Sequence, residues 1–60
     1  MNLKECIDHW NETGDTIFEA YVGMDIVEMQ IDNVTGDPEI TINDTGIDLE
    51  PEDIDSWNRY

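Results

Sequence analysis

The sequence predicts an α+β fold: an N-terminal helix packed on a three-stranded antiparallel sheet, with a short C-terminal helix. Three observations lead there. Leu3, Cys6, Ile7 and Trp10 recur at the i, i+3, i+4, i+7 spacing of a helix with one buried stripe. From Thr16 the apolar period drops to two, which is the mark of strands with one solvated face. Clusters of turn formers then divide the alternating region into three short runs.

The helix is predicted over residues 2–12. Asn2 followed three residues later by Glu5 resembles a capping box, and Gly14 is a natural stop. The first strand places Phe18, Ala20 and Val22 on one face and Ile17, Glu19 and Tyr21 on the other, and Gly23 ends it. The second runs from Ile26 to Asp32, with Val27, Met29 and Ile31 opposite Glu28, Gln30 and Asp32. Asn33 to Pro38 is dense in turn residues, and a third strand over residues 39–43 follows. There the alternation sets Ile40 and Ile42 against Glu39, Thr41 and Asn43. Short connections between alternating strands predict a meander whose apolar face the helix covers. Asp44, Thr45 and Gly46 form another turn. Pro51 with Glu52 and Asp53 resembles the first turn of a helix, predicted over residues 51–58 with Trp57 at the domain edge. An extended tail is the alternative for this stretch.

Sixty residues make one small domain, residues 1–60, and one small core. Sixteen residues are Asp or Glu and only Lys4 and Arg59 are basic, a formal net charge of -14. Acidic tails that stay disordered carry blocks of like charge. Here the acids are spread from Glu5 to Asp55 between apolar positions, as in a charged shell over a core. No basic patch exists to bind nucleic acid directly. No export signal is recognisable, and the longest uninterrupted apolar run is three residues, Ala20 to Val22, so a soluble cytoplasmic protein that enters no membrane is expected. A single cysteine excludes an internal disulfide.

Several local chemistries fail on residue count or spacing. Cys6 and His9 lie three apart on the helix, but a structural zinc site needs four ligands and the chain has no second Cys or His. Cys6 on the apolar stripe acts as a small hydrophobe. Calcium loops starting at Asp32 or Asn43 place Val34 and Gly36, or Thr45 and Ile47, where oxygen ligands belong. No cofactor, metal or catalytic residue is therefore expected, and the protein is not expected to be an enzyme. Three Asn-x-Thr triplets, at Asn11, Asn33 and Asn43, are read as turn residues.

The acids carry the signal. Glu5, Asp8 and Glu12 line the polar side of the helix, and Glu19, Glu28, Asp32 and Glu39 project from the solvated face of the sheet. Tyr21 shares that face and is a candidate interface anchor. Self-repulsion of this size destabilises a compact state. The competing reading is that the acids only keep a small domain soluble. Adaptation to high salt is a further alternative, but eight Ile and five Asn against three Val and one Ala do not fit it. Compact scaling gives a radius of gyration of ~10 Å, and duplex DNA carries one charge per ~1.7 Å of axis. The charge of the chain thus matches that of a DNA segment of its own length. A basic nucleic-acid-binding protein is the expected partner.

In size, acidity and arrangement of Glu5, Asp8, Glu12, Glu19, Glu28, Asp32 and Glu39, the chain resembles phage-encoded inhibitors that imitate DNA, and among them small acidic anti-CRISPR proteins. The resemblance is one of character over the whole chain, without an alignable motif. It implies occlusion of the DNA-binding channel of a CRISPR effector complex. An immunity protein or antitoxin neutralising a basic nuclease, and an acidic adaptor unrelated to nucleic acid, are the alternative readings.

Overall fold

In the computed structural model, which describes all of residues 1–60, helix α1 spans Leu3–Thr13. Its first turn is closed reciprocally: the Glu5 amide donates to Asn2 Oδ1 at 2.9 Å and the Asn2 amide to Glu5 Oε1 at 3.0 Å. Two of the amides that a helix start leaves without partners are thereby satisfied. Gly14 ends the helix at φ 81°, with its amide donating to the Trp10 carbonyl at 2.8 Å. Left-handed backbone of this kind is strained for any residue with a Cβ.

Strands β1 (Ile17–Val22), β2 (Asp25–Ile31) and β3 (Pro38–Asn43) form the expected meander. A fourth strand, β4 (Asn58–Arg59), joins the free edge of β1, so the sheet order is β3-β2-β1-β4, antiparallel throughout. Helix α1 packs on one face. Cys6 from the helix is fully buried with Phe18, Ala20, Val27, Met29 and Ile31 from the sheet and Ile54 and Trp57 from the C-terminal segment. Leu3, Ile7 and Trp10 pack against this group from the helix side.

The C-terminal prediction of a helix over residues 51–58 is corrected. Only Pro51–Asp53 turns, as a single 3₁₀ turn, and the chain then runs extended into β4. Asp55, Ser56 and Asn58 all favour local side-chain bonds over helix, and an isolated helix this short is marginal. Pairing with β1 also covers an edge that would otherwise expose unpaired amides and carbonyls. Trp57 is not at the domain edge but has no exposed surface at all. Its indole Nε1–H donates to the Pro51 carbonyl at 3.1 Å, and its amide donates to the Met1 carbonyl at 2.8 Å. The N-terminal ammonium in turn donates to the Trp57 carbonyl at 2.7 Å.

A second correction concerns β3. Glu28 pairs with Ile42 while the next residue, Met29, pairs with Ile40, leaving Thr41 as the extra residue of a β-bulge. The bulge breaks the alternation. Ile40 stays on the core side and packs against it, whereas Ile42 shares the outer face with Glu28 and is 41% exposed. Thr41 Oγ1 donates to the Glu28 carbonyl at 3.3 Å across the irregularity.

Truncating a buried Trp costs about 3–5 kcal/mol, and a chain of this length has a total stability of about 3–9 kcal/mol. Trp57→Ala is therefore expected to lose about half or more of the stability and to unfold at a far lower urea concentration, while Trp57→Phe loses less. Urea unfolding followed by far-ultraviolet circular dichroism measures both, and a wild-type midpoint for Trp57→Ala would contradict this packing.

Candidate interaction surfaces

Six of the sixteen acids lie on two opposed faces, and the other ten are spread over the connections, the start of β2 and the C-terminal segment. On α1, Glu5, Asp8 and Glu12 are exposed and point away from the sheet, since the opposite side of the helix carries Cys6 into the core. The helix is held at its C-terminal half by Trp10. Its Nε1–H donates to Asn33 Oδ1 at 3.2 Å, and its ring lies where a Cβ on Gly36 would meet it at 3.1 Å. Gly36 has φ 78°, so both backbone and close approach require glycine there. Of the sequence-predicted residues, Glu5 has a structural task as well, because its carboxylate closes the helix cap.

The second face is the outer side of the sheet, away from the helix. In-register pairing places Glu19 directly opposite Glu28, with Asn58 and Ile42 continuing the row on either side. Ile17, Gln30 and Glu39 form the row on one side of it, and Tyr21 pairs with Ile26 on the other. Tyr21 is 62% exposed. Directly opposed like charges are destabilising, and neither glutamate forms an ion pair, the single such contact in the molecule being His9 with Asp15. Glu19 and Glu28 are also the only two of the sixteen acids that are half-buried, the other fourteen being exposed.

Asp32 lies at the rim of this face, where it lines a shallow depression with Gln30, Asn33, Asp37 and Glu39, and it has a turn to hold as well. β2 ends at Ile31, and Asp32 opens the following turn. Its Oδ1 accepts from the amides of Val34 at 2.8 Å and Thr35 at 3.1 Å. An Asp immediately before Asn-Val-Thr-Gly is a recognisable Asx-turn signal, so its role was readable from the turn chemistry rather than from the alternation. Of the three Asn-x-Thr sites, Asn43 serves a turn as expected, accepting from the Thr45 amide at 3.0 Å and donating to the Ile47 carbonyl at 2.7 Å. Asn33 also lies in a turn as expected, and its side chain holds Trp10, whereas Asn11 lies within α1.

His9 and Arg59 both lie near Asp15, just beyond the end of α1. His9 Nε2 lies 2.9 Å from Asp15 Oδ2, with the imidazole edge-on to Phe18 at 6.0 Å between ring centres. Arg59 and Tyr60 line a shallow open depression with Gly14, Asp15, Thr16 and Ile17. His9 thus engages Asp15 rather than Cys6, three residues away on the helix. Cys6 is buried, and that burial pushes its thiol up to about 11, which disfavours the thiolate needed for nucleophilic or ligand chemistry. No group of three or more His, Cys, Asp or Glu is placed to hold a metal ion, and no helix is long and apolar enough to cross a membrane. No family model, curated protein or solved structure matches the chain.

Two carboxyls lie below the usual Asp range: Asp15 through its hydrogen bond with His9, and Asp32 through the amides of Thr35 and Val34. A depressed folded-state value means the stabilisation is present above the ordinary Asp value of about 3.9. It is lost as pH falls through the lower folded value. Carboxyl-carbon NMR should show both residues titrating below the ordinary range. Asp32→Asn keeps the turn acceptor but removes the proton, so its acid unfolding should be less pH-dependent than wild type. An ordinary titration of Asp32 would contradict the turn geometry.

Proposed function

We propose that the protein is a stoichiometric, non-enzymatic inhibitor that occupies a cationic nucleic-acid-binding channel by presenting DNA-like charge, as an anti-CRISPR protein acting on a CRISPR effector complex in the cytoplasm of a bacterial host. The observation that carries this reading is the density of charge on an elongated body. The Cα positions span 30 × 17 × 16 Å, and the formal net charge is -14. That is roughly one net charge per 2 Å of length, against one per ~1.7 Å for duplex DNA.

Six acids split between the helix and the outer sheet face support the same reading. A duplex displays phosphates around its circumference, and a cleft that grips it contacts more than one side. Glu5, Asp8 and Glu12 on one face and Glu19, Glu28 and Glu39 on the other give a two-sided distribution of that kind. Tyr21 adds an aromatic contact on the sheet side. A basic channel meeting these carboxylates gains association rate through electrostatic steering. The chain itself repels nucleic acid, so its partner is the protein that binds nucleic acid.

Expression in cells whose CRISPR effector is programmed against an incoming plasmid tests the proposal. For at least one effector class, multi-subunit or single-protein, transformation should be restored. The purified chain should then displace a labelled duplex from that effector at equimolar amounts, with affinity falling on the order of tenfold or more between 0.05 and 0.2 M salt. No restoration and no displacement across both effector types would contradict it, and protection against a basic nuclease alone would transfer the mechanism to an immunity protein.

A further inference from the structure

The two acidic faces are not equivalent. The helix face is polar throughout, and none of the large exposed apolar residues lies on it; these are Tyr21, Met24, Val34, Ile42, Ile47 and Tyr60. The outer sheet face is mixed. Its central pair, Glu19 and Glu28, is half-buried and flanked by Tyr21, Ile26 and Ile42. The Thr41 bulge is what brings Ile42 there, since regular alternation would have turned it toward the core. The two glutamates are half-buried among these neighbours, and neither forms an ion pair within the chain.

We propose that the outer face of the sheet is a docking surface for a protein that presents arginine side chains, whose guanidinium groups engage Glu19 and Glu28 while their stems cover Tyr21, Ile26 and Ile42. This rests on the reading that the acids of the chain meet a cationic protein surface, and it specifies the face and the chemistry. Charge complementarity selects the occupant. A second copy of the chain would set Glu19, Glu28 and Glu39 against their own counterparts, and nucleic acid or an anionic lipid surface carries the same sign as the face. Between the two cationic side chains, arginine fits better. The guanidinium is planar, binds carboxylates in a bidentate fork, stacks on aromatic rings and sheds water more readily than an ammonium. The apolar stem of arginine covers apolar surface while its head stays with the acids. Lysine suits the exposed carboxylates of the helix face equally well, so a preference for arginine separates the two surfaces.

Titration with octa-arginine and octa-lysine peptides at about 0.15 M salt, followed by amide NMR shifts, tests the assignment. Shifts should concentrate in residues 17–21, 26–30 and 39–42, with octa-arginine binding several-fold more tightly than octa-lysine. Glu19→Gln with Glu28→Gln should weaken octa-arginine about tenfold. The same loss of charge through Asp8→Asn with Glu12→Gln should weaken it less than about twofold. Tyr21→Ser should reduce the preference for arginine. Circular dichroism confirms that each variant is folded. Equal weakening by the two double variants, or shifts centred on residues 5–12, would overturn the proposal. The peptides involve no DNA channel, so the outcome is independent of the interference assay. A chain that passes here and fails there docks some other arginine-bearing protein; one that inhibits through its helix face keeps the function and loses this surface.

Discussion

Trp57 joins the two ends of the chain, and the acidic shell depends on that closure. Its ring is fully buried among residues from helix and sheet, its indole donates to the Pro51 carbonyl, and its amide and carbonyl both bond to Met1. From there the chain leads directly into β4, which pairs with β1 and covers the edge of the sheet. A core of eight buried residues has little surplus over conformational entropy in a domain this small. Long-range closure by one large aromatic is what allows it to carry sixteen carboxylates.

The acids that cost least are those with local work. Glu5 closes the first turn of α1, Asp32 organises the β2–β3 turn, and Asp53 accepts from the Glu50 amide at 2.9 Å. Asp15 pairs with His9. Glu19 and Glu28 have no such task. They face each other across the centre of the outer sheet face, where Tyr21 and Ile42 are also exposed. The stability of the free protein does not account for that placement, whereas a cationic partner would turn the same arrangement into a favourable contact.

What was legible in the sequence was local. The helix could be placed because its cap, its apolar stripe and its terminal glycine all lie within twelve residues of one another. β1 and β2 followed from unbroken alternation. β4 was not legible, because its identity comes from pairing Asn58 and Arg59 with Glu19 and Phe18, forty residues away in sequence, and two residues carry no period. The bulge was hidden for a related reason: Ile40-Thr41-Ile42 alternates perfectly, and only the register against Glu28 and Met29 shows the extra residue. For the site, charge and face were readable for Glu5, Asp8, Glu12, Glu19, Glu28 and Glu39. At Asp32 turn chemistry adds a role that alternation does not show, and the role of Ile42 required the register.

The account requires that the carboxylates be held by a scaffold closed at its C-terminus. Hydrogen exchange of three amides tests this most directly: Trp57 bonded to Met1, Tyr60 bonded to Ile17, and Ile31 bonded to Thr16. If the closure is part of one cooperative unit, all three exchange at a common, slow rate set by global unfolding. Exchange of Trp57 and Tyr60 orders of magnitude faster than Ile31 would show a frayed tail on an open sheet, and the fixed acidic surface would be lost with it.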